Sequence, residues 1–184
     1  MQARIDSLAL IEASVWRELQ RACAEQDHAW HALALATAGN GGCADARTVV
    51  LREVDAAART LRIYTDARSA KVAQIGAQPL GTLLAWSPQL GWQLRLRVRL
   101  AVTTDGPEAA SRWARLKLTP AAHDYLAPLP PGSPIDARFQ PERAPRAHFA
   151  LISAQVQQFD WLELHADGHR RAGFGPDGAQ WLQP

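Results

Sequence analysis

The clearest pattern in the chain is an alternation. Trp92, Leu94, Leu96, Val98 and Leu100 take turns with Gln93, Arg95, Arg97 and Arg99. A period of two puts the apolar set on one face of a strand and the arginines on the other, so 92–103 reads as a half-buried strand. Residues 7–25 have a different spacing: Leu8, Ile11, Val15, Leu19 and Cys23 share one helical face, and Ser7 stands where a cap belongs. The apolar run 29–38 ends at GNGG 39–42, residues that accept positive φ, which predicts a reversal. A strand over 47–53, a second reversal at DAAAR 55–59 and a strand over 61–65 make two consecutive hairpins. Asp66 or Ser69 can cap a helix to about Ala77, stopped before Pro79. Residues 81–86 read as a strand, and Asp105 with Pro107 opens a helix through Leu118. The chain returns to β over 148–164, with Ala150, Ile152, Ala154 and Val156 on one side. Arg170–Phe174, the GPDG turn and Trp181–Leu182 predict a last hairpin.

Few helices among antiparallel strands predict a mainly β, α+β fold: an antiparallel barrel with peripheral helices. The 184 residues fit one domain, with no internal repeat or second boundary. Residues 127–147 carry six prolines and no periodicity. They read as a long loop, and such loops in compact domains are more often functional or mobile than neutral.

Composition narrows the function classes. Hydrophobic content of 47% and charged content of 21% are those of a globular protein. A net charge of +2 gives no reason to expect bulk nucleic-acid or membrane binding. No apolar stretch reaches spanning length, and no charged start precedes an apolar run, so the expected location is cytoplasmic. Cys23 and Cys43 form no CxxC pair and have no His at ligand spacing, so they read as two thiols, one in a helix and one beside a turn. The arginine row needs solvent or partner carboxylates, because like charges on one strand face repel. That suits an exposed face or a dimer contact better than nucleic-acid binding. His28 and His31, and His165 and His169, have helix-face spacing, but no carboxylate or Cys completes a metal set. They read as surface or turn histidines, and no metal is expected.

The chemistry concentrates between Arg47 and Gln93. A phosphate monoester needs fixed donors, a cation and ideally a helix start. Ser69, Lys71 and the free N–H groups of the 66–77 helix could converge on one anion. Each charge-assisted bond there is worth roughly 1.5–3 kcal/mol. The same residues equally suit an ordinary solvated helix start. Arg47 and Arg52 are five apart, so a regular strand turns them to opposite sides, one toward a cleft and one toward solvent, unless a bulge intervenes. Gln93 both donates and accepts, which suits the edge of a flat heteroaromatic ring.

The order of these segments carries more than any one of them. RTVVLR, then LRIYTDARSAK, a strand containing QL, a late FDWLEL and HRR together resemble the pyridoxamine 5′-phosphate oxidase-like family, from about Ala29 to Pro184. The resemblance implies an FMN-binding split β-barrel and a homodimer with FMN in clefts at the interface, acting on a small molecule. It places Arg47, Thr48, Val49, Val50 and Leu51 along the flavin and its phosphate, and Arg52 at a substrate-facing lysine position. Tyr64 and Thr65 match a Tyr-Thr pair. Ser69 and Lys71 match a phosphate-binding SRK whose middle Arg is Ala70 here, with Arg68 as its replacement. Gln93 and Trp161 match flavin contacts. Lys117 and Arg170 match substrate contacts, and Trp113 and Ala121 fall at two further substrate positions. Ala172 and Gly173 stand where the family's RLHDR-like segment has functional side chains. The expectation is therefore an FMN-dependent oxidoreductase whose namesake activity is in question. The alternative is a non-catalytic dimeric barrel that binds flavin or haem for storage or sensing.

Overall fold

A computed structural model describes residues 4–135 and 147–184. The expected 127–147 loop therefore lies partly outside the described residues. Its elements are α1 (Leu8–Ala24), β1 (Ala32–Ala38), β2 (Ala44–Asp55), β3 (Thr60–Asp66), α2 (Ala70–Ala77), β4 (Leu80–Ser87), β5 (Trp92–Thr103), α3 (Gly106–Leu116), β6 (Phe149–Glu163), β7 (Arg170–Gly175) and β8 (Gly178–Leu182). Two 3₁₀ turns, Asn40–Gly42 and Pro120–Tyr125, complete the set.

The strands pair in the order β3-β2-β1-β4-β5-β6-β7-β8, and β3 also pairs with β6. That last pairing closes β1 to β6 into an antiparallel barrel, and β7 and β8 extend beyond it. Closure pairs both sides of β1 to β6 and leaves β8 as the edge strand among the described residues. Leu33, Leu35, Leu51, Leu61, Leu83, Leu94 and Leu96 fill the interior, each almost fully buried. Helix α1 lays Ile11, Val15 and Leu19 on the same core.

Two bulges decide which side chains face inward. On β6, Arg97 pairs with Gln158 but Val98 pairs with Val156, so Gln157 is an extra residue. Before it, Ala150, Ile152, Ala154 and Val156 are buried, as the alternation predicts; after it the parity flips to Phe159, Trp161 and Glu163. On β2, Leu51 pairs with Ile63 and Glu53 with Arg62, which leaves Arg52 as the extra residue.

The reversals sit where the turn residues predict. Gly41 and Gly42 take φ of 72° and 81°. Gly91, between β4 and β5, has φ 65°, and a Cβ there would lie 2.7 Å from the Leu164 carbonyl oxygen. Ser7 and Ser69 occupy N-cap positions, but neither hydroxyl caps its helix. Helix α3 stops at Leu116 rather than Leu118, because Thr119 N–H bonds the Leu116 carbonyl and the chain tightens into the 3₁₀ turn.

His28 corrects the surface expectation. Its side chain is buried, Nδ1 accepts from the Trp30 N–H at 3.1 Å, and Nε2 lies 3.1 Å from Glu18 Oε2. With Nδ1 accepting, Nε2 must carry the proton and donate to Glu18.

Candidate functional site

One end of α2 faces a hollow between β2, β3 and the 3₁₀ turn at 120–125. The cavity holds about 280 Å³ and is lined by Thr48, Val49, Val50, Arg52, Tyr64, Thr65, Asp66, Ser69, Lys71, Asp124, Tyr125 and Pro131. Lys71 Nζ donates to Thr65 Oγ1 at 3.0 Å, and Ser69 Oγ lies 3.2 Å from the same oxygen. The ammonium and two hydroxyls thus meet at the start of α2, where backbone N–H groups lack helical partners. Burial pushes the Lys71 pKa down, and nearby Arg47 adds to that. An ammonium disfavoured in this way gains most from an anion that joins it.

Arg52, the extra residue of β2, lines the cavity with Thr48 and Val50 of the same strand. Its Nε is buried and has no hydrogen-bond partner, and its guanidinium carbon lies 5.8 Å from the centre of the Tyr64 ring. A buried unpaired N–H on a charged group is uncommon and points to a missing acceptor. Tyr64 is fixed from behind. Its hydroxyl donates to Glu53 Oε1 at 2.7 Å, and Arg112 grips both Glu53 oxygens at 2.8 and 2.7 Å. Burial pushes the Tyr64 hydroxyl up to about 12, and its bond to Glu53 adds to that. It stays a donor over the physiological range.

The other expected residues separate. Arg47 turns away from Arg52, as the spacing predicts, but into a polar network rather than solvent. It donates to Thr37 Oγ1 at 2.6 Å, Asp45 Oδ2 at 2.6 Å and Gln74 Oε1 at 2.7 Å. Leu51 is fully buried in the core. Arg68 is not on the cavity lining. Its Nη2 bonds Asp66 Oδ2 at 2.7 Å and the Ala127 carbonyl at 2.8 Å, and Nη1 reaches the Pro128 carbonyl. It staples the chain after the 3₁₀ turn to the start of α2.

Lys117 is exposed at the end of α3 and does not line the cavity. Gln93 lies across the barrel, opposite Trp86 and Leu162. Trp161 is fully buried, 5.4 Å from Trp92 between ring centres. Arg170 is held by Glu163 at 2.9 Å and Asp6 at 2.8 Å. Within one chain these last three do not share the cavity. Trp113 packs on Phe149 and Tyr125, and Ala121 packs against that cluster. The expectation missed Asp66, Asp124, Tyr125 and Pro131 as lining residues. Asp124 and Tyr125 sit in a 3₁₀ turn without periodicity, so no sequence signal marks them. Among the described residues no group of three His, Cys, Asp or Glu side chains could hold a metal ion.

Residues 13–104 match the model of the pyridoxamine 5′-phosphate oxidase, FMN-binding domain. A pyridoxine/pyridoxamine 5′-phosphate oxidase from Granulibacter bethesdensis is 31% identical over 187 residues, covering 92% of this chain and 86% of that protein. The chain belongs to the pyridoxamine 5′-phosphate oxidase family. The cofactor expected from the sequence is thereby borne out as FMN, the ligand of that family's domain. A pyridoxamine 5′-phosphate oxidase-related, FMN-binding protein from Nostoc punctiforme superposes with a TM-score of 0.75 at 26% identity, covering 97% of this chain and 99% of that one. PhzG from Burkholderia lata, solved with tetrahydrophenazine-1-carboxylic acid, gives 0.74 at 19% identity over 94% of this chain and 91% of that one. The likeness to PhzG shows the fold alone. The family's split barrel is the one built here by β1 to β6.

The donor set also fits FMN on its own terms. A phosphate needs a cation, hydroxyl donors and free backbone N–H groups. Lys71, Ser69, Thr65 and the start of α2 supply them in one place.

Proposed function

We propose that the protein is an FMN-dependent oxidoreductase that acts on a small anionic molecule, as a homodimer in the cytoplasm. The observation that carries the reading is the junction of Lys71, Ser69 and Thr65 on the wall that also holds the partnerless Arg52 Nε. FMN, when bound, supplies the electron-transfer chemistry. Lys71, Ser69 and Thr65 bind its phosphate. Arg47 fixes the strand behind them through Gln74 and Asp45. Val49 and Val50 give the ring an apolar bed, and Arg52 orients the substrate from within the cavity.

The dimer follows from what one chain lacks. A cavity of about 280 Å³ falls just below the range of ligand pockets, roughly 300–1,000 Å³. A second copy would complete the enclosure and could bring Gln93, on the far side of each barrel, to the flavin. The outer face of β1 and β4 supports this pairing. Ala34 lies opposite Leu84 there, and Leu84 and Trp86 are 39% and 44% exposed. Exposed apolar side chains grouped in this way mark an interaction surface. Cys43 is exposed and unpaired, in keeping with a reducing compartment. No helix among the described residues is long and apolar enough to cross a membrane.

The test has two stages. FMN titration followed by flavin fluorescence should show saturable binding; no response would remove the reading. Anaerobic reduction and mixing with oxygen or other acceptors then separates an enzyme from the passive carrier. Reoxidation that stays slow with every acceptor would favour storage or sensing.

A further inference from the structure

We infer that Arg112 is a positioning residue for the FMN site: from α3, outside the cavity, it acts through Glu53 on Tyr64 and sets the aromatic wall beside the phosphate cradle. The inference rests on the FMN reading above. Tyr64 lines the cavity with Thr65, Ser69 and Lys71, whereas Glu53 and Arg112 do not line it. A contact effect of Arg112 on a ligand therefore passes through the side chains between them.

The strand pattern builds the path. Leu61 and Ile63 of β3 face the core, so Arg62 and Tyr64 stand on its outer face. Glu53 of β2 pairs with Arg62, which puts its carboxylate on that same face. Helix α3 lies across them. Arg62 Nε donates to Glu108 Oε1 at 3.2 Å, and Arg112 Nε and Nη2 donate to Glu53 Oε1 and Oε2 at 2.8 and 2.7 Å. Arg112 Nη1 closes back on the Glu108 carbonyl at 3.0 Å. All three nitrogens of that guanidinium are engaged, and its side chain is only 12% exposed. Exposed ion pairs contribute little, but a bidentate fork held out of water fixes geometry.

Glu53 is the movable link. Its side chain is 30% exposed, so water competes for the carboxylate. Held by the fork, Oε1 stays 2.7 Å from the Tyr64 hydroxyl. Without Arg112 the carboxylate is free to turn to solvent, and the hydroxyl loses its acceptor. Tyr64 makes no other hydrogen bond among the described residues. Phe149 packs on its ring at 5.1 Å and the Arg52 guanidinium carbon lies at 5.8 Å, contacts that lack the direction of a hydrogen bond. Rotation of the ring would shift both the cavity wall and the arginine beside it. A wall fixed in advance gives a ligand its contact area without an ordering cost, and a loose one does not.

The experiment is a double-mutant cycle on the full chain, read by fluorescence titration of FMN and by melting curves without FMN. R112M should weaken FMN about fivefold, and Y64F by a similar factor. In the Y64F background R112M should add less than about twofold, since the hydroxyl it acts on is gone. R112K keeps the charge but not the fork, so its affinity should fall between wild type and R112M. If R112M does not fold, R112K and R112K/Y64F run the same cycle. R59M is the control for a mere loss of stability. It removes an ion pair with Glu12, 2.8 Å long and away from the cavity, and should lower the melting temperature while FMN affinity stays within about twofold. Full additivity of R112M and Y64F, or an R112M variant that binds FMN as wild type does, would overturn the inference. So would a loss of FMN affinity in R59M equal to that in R112M, which would make the effect one of stability. A wild-type protein that binds no FMN removes the cofactor reading as well, whereas wild-type binding with R112M unchanged removes this inference alone.

Discussion

Lys71→Met separates binding from folding. The ammonium now has one neutral partner, the Thr65 hydroxyl at 3.0 Å, and burial lowers its pKa. The sign follows directly. A lysine whose folded pKa is depressed disfavours the fold wherever it is charged, and that cost fades as pH rises toward the unfolded value. Removing the charge should therefore leave the cofactor-free protein at least as stable near neutral pH. The effect on FMN runs the other way. A charge-assisted bond to phosphate is worth roughly 1.5–3 kcal/mol, so affinity should fall roughly 10- to 150-fold. At an FMN concentration a hundred times the wild-type Kd, ligand stabilisation is about 2.7 kcal/mol. In the variant the same concentration should give only about 0.3–1.4 kcal/mol. Fluorescence titration and thermal melts with and without FMN read both quantities. A variant that keeps its FMN affinity would show that Lys71 does not hold the phosphate, and one that melts well below wild type without FMN would refute the stability argument.

Arg68→Ala should change FMN affinity by less than about threefold while lowering stability by about 1–3 kcal/mol, since it strips the cation from buried Asp66. A loss of FMN affinity matching that of Lys71→Met would put Arg68 on the phosphate after all. Leu51→Ala, at a fully buried barrel position, should cost about 2–5 kcal/mol in denaturant unfolding. In Glu53 and Glu163, burial raises the carboxyl pKa, but hydrogen bonds from Arg112 and Tyr64, and from Arg170 and Arg4, outweigh it and the net shift is down. Such groups stabilise the fold above the ordinary glutamate range, near pH 4.3, and lose that contribution as pH falls through their lower folded values. The E53Q/E163Q double variant should thus be less stable at neutral pH and show a flatter acid limb; an unchanged acid slope would refute the assignment.

The barrel was legible where one period runs unbroken. β5 alternates cleanly from Trp92 to Leu100, and its burial follows the letters. β6 was legible only to Val156, because an extra residue at Gln157 exchanges inside and outside without any local mark in the sequence. Spacing alone says that Arg47 and Arg52 part company, and they do. Arg52 follows Thr48 and Val50 onto the cavity face, where its guanidinium lies beside Tyr64. Arg68 shows a competing local partner. Its position next to Ser69 made it a plausible substitute for the arginine missing at Ala70, yet Asp66 two residues earlier captures it first. A charged side chain answers to its nearest opposite charge before it answers to a motif, and that partner was in the sequence to be weighed. Asp124 and Tyr125 were beyond reach, since only the folded chain carries the 3₁₀ turn to the mouth of α2. Local pattern therefore fixes the wall of the cavity that carries Thr65, Ser69 and Lys71, built from contiguous β2, β3 and α2. The facing wall, with Asp124 and Tyr125, comes from a distant turn and is set only by the tertiary structure.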